Sequence, residues 1–344
     1  MTPASVCIYL EYYHLAKGRL YQNVGTGLLS SYKNQKTALA RAGISVTEWH
    51  EGLPADCNIV QFNTPWLRSA WLMRKMKRQG KKVIVYAHTT AEDAQGVFWI
   101  NKPLYPLIRR YLRWAYSQAD LVLCPSEYTK GLLQKYPVRA RLEVITNGVD
   151  TERFKDSEEN RRNIRERFGL KDLVVFNVGL VIPRKGINTF VNLARAFPKN
   201  QFIWFGKVYS SSIAAQNLPQ DLPQNIQFPG NVEGAERLYA AGDIFVFPSL
   251  EENQGMVILE AAAVGRPILV RDIPVYKDWL THEENCLKAK DEADFAIHLK
   301  RLVEDATLRA RLAANAKQMV QHHSLEAVAA RLKEMYGSLL NQEL

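Results

Sequence analysis

Cysteine is scarce in this 344-residue chain, and Cys7, Cys57, Cys124 and Cys286 fall at no metal-ligand spacing. That excludes a zinc module and a disulfide framework and leaves reduced structural thiols, with Cys7 and Cys124 inside buried strands. Long apolar runs are missing as well. No segment approaches the roughly 20 apolar residues that span a bilayer, and Met1 to Tyr13 has no basic flank leading into an apolar stretch. A cytoplasmic location is the expectation. There is no fixed-period repeat, no low-complexity tract and no Asp-x-Asp metal-binding motif. A hydrophobic content of 47% with mixed charge argues against disorder.

What is present points to two domains, since 344 residues exceed one ordinary core. The net charge of +10 is unevenly placed: residues 1–150 hold 20 Lys and Arg against 10 Asp and Glu, and the remainder holds 25 of each. A basic first half suits a polyanion, either nucleic acid or an anionic membrane surface. No base-stacking or zinc module supports nucleic acid.

Short β-branched or aromatic runs alternate with helical patterns through the first half. Val6 to Leu10, Ile59 to Phe62, Val83 to Ala87, Leu121 to Cys124 and Glu143 to Ile145 read as strands. Leu28 to Ala42, Trp66 to Gln79 and Pro106 to Gln118 read as helices between them. A second series follows the Asn147-Gly148 turn signal, with strands at Leu173 to Val178, Phe202 to Phe205, Ile226 to Phe228, Ile244 to Phe247 and Ile268 to Val270. This is α/β organisation with a parallel sheet covered on both faces, twice over. The polar stretch Asp156 to Arg167 is expected to separate the two series. Domains are expected at 1–150 and 151–323, with a terminal helix over 324–344 that packs back on the first domain.

The most specific local signal runs from Pro248 to Ala261. It follows the strand ending at Phe247 and opens a helix, so the backbone amides of Asn253, Gln254, Gly255 and Met256 lie at a helix N-terminus beyond a strand's carboxyl edge. Such a position favours phosphate through free N–H groups and the helix dipole. Glu252 and Glu260 flank it, and carboxylates accept hydrogen bonds from sugar hydroxyls, so the pair can hold a hexose and a ribose on either side of a diphosphate. A capping role for Glu252 and a solvated face for Glu260 is the competing reading. Arg184 and Lys185, just after the second domain's first strand and Gly179, are placed to neutralise a diphosphate leaving group, or else form a solvated turn.

These residues resemble the family-4 retaining glycosyltransferases of GT-B fold, two Rossmann-like domains facing a cleft. Glu252 to Glu260 is similar to that family's E-x7-E motif, and Gly179 with Lys185-Gly186 to its phosphate-gripping loop. The resemblance implies that Glu252 contacts the transferred sugar, Glu260 the ribose, and Arg184 and Lys185 the diphosphate, with no metal required. The chain departs from the pattern at Leu180, where many members carry Arg, and at Asn253-Gln254, where Gly-Phe is usual. Arg184 is then the candidate to replace the missing arginine.

On the acceptor side, His88 follows the strand ending at Ala87, and a histidine there is a candidate to touch the sugar or the acceptor as well as a structural residue. Glu92 and Asp93 can contact acceptor hydroxyls or cap a helix. Gly25-Thr26-Gly27 allows close backbone approach or a simple turn. From Phe98 to Trp114, Lys102, Arg109, Arg110 and Arg113 interleave with aromatics, which suits an anionic membrane interface or an ordinary domain helix. His88 to Asp93, Arg184 to Ile187 and Phe202 to Gly206 resemble the bacterial diacylglycerol glucosyltransferases. That resemblance implies a UDP-sugar donor, UDP-glucose foremost, a diacylglycerol-type lipid acceptor, and peripheral association with the inner face of the cell membrane. The alternatives are a glycolipid, polysaccharide-precursor or small-molecule acceptor, or a sugar-nucleotide epimerase.

Overall fold

The computed structural model describes residues 4–12, 26–49, 57–92, 105–208, 218–219 and 221–340. They divide into two compact units, one of Met1–Gly148 with Leu325–Leu344, the other of Val149–Ser324.

The first unit is built on a six-stranded, all-parallel sheet in the order β2-β1-β3-β4-β5-β6, with β1 Ser5–Tyr9, β2 Ser45–Glu48, β3 Ile59–Phe62, β4 Lys82–Tyr86, β5 Leu121–Cys124 and β6 Arg141–Val144. Its central strands are buried on both faces, which is why they read as largely apolar runs, with Gln61 of β3 a buried polar exception. One face packs Cys7, Val60, Phe62, Val83 and Val85 against the helices α2 (Leu67–Arg78), α3 (Tyr105–Tyr116) and α4 (Glu127–Lys135). The other packs Val6, Ile59, Ile84 and Leu121 against α1 (Thr26–Arg41) and the last helix, Leu325–Leu340. That helix buries Leu325, Val328, Leu332, Met335 and Tyr336 at helical spacing, and Arg41 Nη1 donates to Glu326 Oε1 at 2.6 Å at its start. The terminal helix thus completes the first unit, as expected.

The second unit holds another all-parallel sheet, ordered β12-β11-β10-β7-β8-β9, from β7 Val174–Val178, β8 Gln201–Phe205, β9 Ile226–Gly230, β10 Ile244–Phe247, β11 Ile268–Arg271 and β12 Leu287–Ala289. Renumbered within the unit this is 3-2-1-4-5-6, the doubly wound order, and the strand sequence reverses between β7 and β10. Loops leaving the carboxyl ends of those two neighbours diverge to opposite faces and leave a crevice for a ligand.

One expectation is corrected. The polar stretch Asp156 to Arg167 is not a separator but the helix α5, Glu158–Phe168, of the second unit. Ser157 caps its N-terminus, Gly169 closes it in the left-handed conformation, and Arg161 and Arg165 both pair with Asp243 at 2.5 Å. Only Ile164 of this helix is buried, so periodicity gave no sign of it. All four cysteines are buried thiols. Among the described residues no helix is long and apolar enough to cross a membrane.

Candidate functional site

At the crevice of the second unit two loops meet. The first leaves β7 and carries Gly179 to Gly186, where the helix α6, Ile187–Ala196, begins; the second leaves β10, which the helix α7, Ala235–Ala241, precedes, and carries Pro248 to Gly255, which caps the helix α8, Met256–Val264. Their contact is intimate. Leu250 N donates to Arg184 O at 2.8 Å, and Arg184 Nη1 donates to Glu251 O at 3.0 Å. Gly186 has φ +81°, and a Cβ there would lie 2.3 Å from Pro248 O, so only glycine lets the loops approach this closely.

Within this junction Lys185 Nζ donates to Glu252 Oε1, and Ser249 Oγ donates to the same oxygen at 2.8 Å. Both members of the ion pair are largely withdrawn from water, with side-chain exposures of 15% for Lys185 and 9% for Glu252. Lys185 also lies over the Phe247 ring at 5.3 Å. The cation and the carboxylate expected to divide a sugar diphosphate between them are therefore brought together and held against one wall. Gln254 and Gly255 are buried behind them, and Gly255, with φ +86°, presents the start of α8. Gly179 adopts φ +144° with open space where its Cβ would stand, so the backbone there is approachable.

Glu260 lies one turn into α8 and is buried, with Tyr239 donating its hydroxyl to Oε2. Burial pushes its carboxyl up to about 7, against the opposing effects of the Tyr239 hydrogen bond and Arg153. It is thus no solvated helix residue. Tyr276, just after β11, is the neighbour that sequence reading passed over. Its buried hydroxyl has no hydrogen-bond partner among the described residues, it packs where a Cβ on Gly255 would stand, and Glu252, Arg184 and Glu251 act on it electrostatically. Tyr239 and Ser249 were missed in the same way; the only signal is their position on elements flanking β10.

In the first unit, His88 lies two residues beyond β4, its ring stacked on Tyr86 at 5.6 Å between centroids and 16° between planes. The residue keeps some exposed surface, yet desolvation of its ring pulls the imidazole down to about 4, so it is neutral at physiological pH. Ser31 Oγ is 3.2 Å and Gln35 Nε2 3.4 Å from His88 Nε2. The following loop is pinned by Tyr116, which donates to Thr89 O at 2.7 Å, and by Ala91 N donating to Tyr136 Oη at 3.0 Å.

Glu92 accepts from Arg109 Nη2 at 2.9 Å through one oxygen and from Tyr136 through the other, a structural tie that joins two of the expected acceptor-side residues. Asp93, Lys102 and Gly25 lie outside the described residues. Thr26 and Gly27 begin α1. Arg110 and Arg113 are exposed on α3, and Leu107 and Trp114 are exposed beside them. On the neighbouring α2, Leu67 and Trp71 are exposed at 73% and 60% and share a face with Arg74, Lys75 and Arg78. Neither helix contains an acidic residue.

Comparison with known proteins fits this geometry. Residues 158–319 match the glycosyl transferases group 1 model and residues 12–153 the glycosyltransferase family 4 model. The processive diacylglycerol alpha-glucosyltransferase of Acholeplasma laidlawii is 31% identical over 90% of this chain and 97% of its own length. The alpha-galactosylglucosyldiacylglycerol synthase of Streptococcus pneumoniae is 30% identical over 79% of this chain and 76% of its own. Among solved structures, the Anabaena protein HepE in complex with UDP-glucose superposes with a TM-score of 0.78 at 18% identity, covering 97% of this chain and 99% of its own, which establishes the shared GT-B fold. With two Rossmann-like sheets, a switch-point crevice that pairs Lys185 with Glu252, and matches over most of its length, the chain belongs to the family-4 glycosyltransferases.

Proposed function

We propose that this enzyme is a retaining glucosyltransferase that moves glucose from UDP-glucose to a diacylglycerol-type lipid at an anionic membrane surface. The observation that carries the reading is the withdrawn Lys185–Glu252 pair, set at the switch point beside the N-terminus of α8. A sugar diphosphate entering there meets three groups suited to it. Lys185, Arg184 and the amides near Gly255 and Met256 take the diphosphate charge as the sugar–phosphate bond breaks. Glu252 is released from Lys185 and accepts sugar hydroxyls, and Glu260 accepts the ribose hydroxyls. His88 contacts the transferred sugar. Protein cations meet the leaving-group charge, so the reaction needs no resident metal, and a chelator leaves the rate unchanged.

The acceptor reading is supported by α2 and α3. Leu67, Trp71, Leu107 and Trp114 form an exposed apolar set flanked by Arg74, Lys75, Arg78, Arg110 and Arg113, the composition of an interfacial surface that inserts aromatics beneath lipid headgroups. The enzyme then works as a peripheral protein on the leaflet that holds its acceptor. The named activity of the Acholeplasma relative supports the same acceptor class. The pneumococcal relative's name favours a second reading, in which the acceptor is already a glycosyl-diacylglycerol.

One experiment separates these readings. UDP-glucose and UDP-galactose are each offered with vesicles containing diacylglycerol or monoglucosyl-diacylglycerol, and the lipid products are identified by mass and anomeric coupling. An α-glucosyl lipid from UDP-glucose and diacylglycerol is expected. A β-linked product contradicts retention, product only from the glucosylated lipid selects the second reading, and no lipid product rejects both.

A further inference from the structure

The hydroxyl of Tyr276 is a donor to which the second unit gives no acceptor among the described residues. Tyr276 ends the single turn that Pro274 opens after β11, and its ring is fully buried, packed edge-on against Trp279 at 5.7 Å between centroids. Phenylalanine would fill the same space without stranding a polar group, so a buried hydroxyl kept in this condition points to an acceptor gained during the reaction. Gly255 shows where the hydroxyl is aimed. A Cβ on that glycine would lie 3.3 Å from both Oη and Cε1 of Tyr276, so the hydroxyl is set against the backbone turn that opens α8.

The same turn carries a carboxylate whose donors change when a diphosphate enters. Glu252, three residues before Gly255, accepts from Lys185 and from Ser249, and both bonds go to Oε1. A diphosphate that takes Lys185 removes the cation paired with this buried carboxylate. Of the two donors Ser249 then remains, and a buried carboxylate stripped of its cation is costly unless another donor reaches it. Of the charged groups around the Tyr276 hydroxyl, Glu252 acts on it most strongly, ahead of Arg184 and Glu251. Burial, with Glu252 adding to it, holds the phenol well above its ordinary value, so it keeps its proton and serves an anion as a donor.

We infer that Tyr276 is a positioning residue held in reserve for Glu252: when the diphosphate draws Lys185 away, the Tyr276 hydroxyl donates to the carboxylate and, with Ser249, keeps it ionised and aimed at the sugar hydroxyls. The inference deepens the donor-site reading given under the proposed function and rests on it. Lys185 and Tyr276 are alternate partners of one carboxylate, the first before the donor binds and the second after. The exchange transfers no proton and breaks no covalent bond. It frees the lysine for the leaving group without stranding Glu252.

The test is the affinity of the full-length enzyme for UDP, measured by calorimetry in a double-mutant cycle of Tyr276→Phe and Glu252→Gln, with thermal denaturation of the nucleotide-free proteins beside it. The wild type is expected to bind UDP, and Tyr276→Phe to weaken that binding by about ten- to hundredfold, the worth of a hydrogen bond to a buried charge. In the Glu252→Gln background, where no carboxylate needs the hydroxyl, Tyr276→Phe should change UDP affinity by less than about twofold. A loss of equal size in both backgrounds means that the hydroxyl meets the diphosphate itself, and it overturns the inference. UDP affinity unchanged by Tyr276→Phe alone overturns it as well. Without nucleotide, Tyr276→Phe should melt at or above the wild-type temperature, because the hydroxyl removed was unbonded; a lower melting temperature reveals a purely structural bond and also counts against the assignment. Absence of UDP binding by the wild type is a separate result, which rejects the donor site and the inference with it.

Discussion

At the scale of single residues, the Lys185–Glu252 pair has two separable roles. Removing one member leaves a charge stranded in a site where water is scarce, which costs about 3–5 kcal/mol, whereas replacing both with apolar groups of similar size is near neutral for stability. Lys185→Met alone should therefore lower the melting temperature more than the double variant Lys185→Met/Glu252→Leu, yet both should lose glycosyl transfer by roughly a thousandfold or more. Equal melting temperatures with retained transfer would remove the pair from the mechanism. Glu260 gives a second expectation with a definite sign. Its folded pKa of about 7 lies above the ordinary 4.5 of a glutamate carboxyl, so its contribution to stability is complete below pH 4.5 and is lost as pH rises through 7. Over that window the loss is ~3 kcal/mol. Glu260→Gln should flatten the pH dependence of stability between pH 4.5 and 8, as chemical denaturation at a series of pH values will show. Ribose hydroxyls that hydrogen-bond the ionised carboxylate would also release a proton on nucleotide binding, visible in calorimetry as a heat that depends on buffer.

The elements around these residues explain what the sequence reveals and what it hides. Gly186 has no room for a side chain against Pro248 O, so Gly186→Ala must push the two crevice loops apart. Both UDP-glucose affinity and stability should fall in that variant, measured by titration and thermal denaturation. The helices α2 and α3 carry a different expectation. Trp71→Ser with Trp114→Ser should reduce partition onto anionic vesicles by about tenfold or more while leaving the fold intact, since both rings are already exposed. Unchanged sedimentation with vesicles would refute the docking surface. The buried strands were legible because each is an apolar run bounded by polar turns. Two of the four edge strands were not: β2 alternates half-exposed and exposed residues and β12 has only three, and neither pattern stands out from a loop. Glu252, Lys185 and His88 stand out in the sequence as candidates because they lie on loops just after strands, where ligands collect. Tyr239, Tyr276 and Ser249 do not, because what matters is their approach to Glu252 and Glu260 from other elements.

For the molecule as a whole, the uneven charge is the property that joins the two activities proposed for it, sugar transfer and membrane attachment. The basic excess lies entirely in residues 1–150, which contain the exposed faces of α2 and α3, while the crevice proposed for the nucleotide sugar lies in the unit that begins at Val149. Turnover on anionic vesicles should thus fall steeply between low and physiological salt, as screening weakens the attachment, while UDP-glucose affinity in the withdrawn crevice changes little. A parallel loss of both would place the salt effect in the donor site. The most direct test of the account is the rate at which labelled glucose passes from UDP-glucose to diacylglycerol in anionic vesicles, compared between the wild type and Lys185→Met/Glu252→Leu. The account predicts glucosyl-diacylglycerol from the wild type and none above background from the folded double variant; equal product from the two, or none from the wild type, would contradict it.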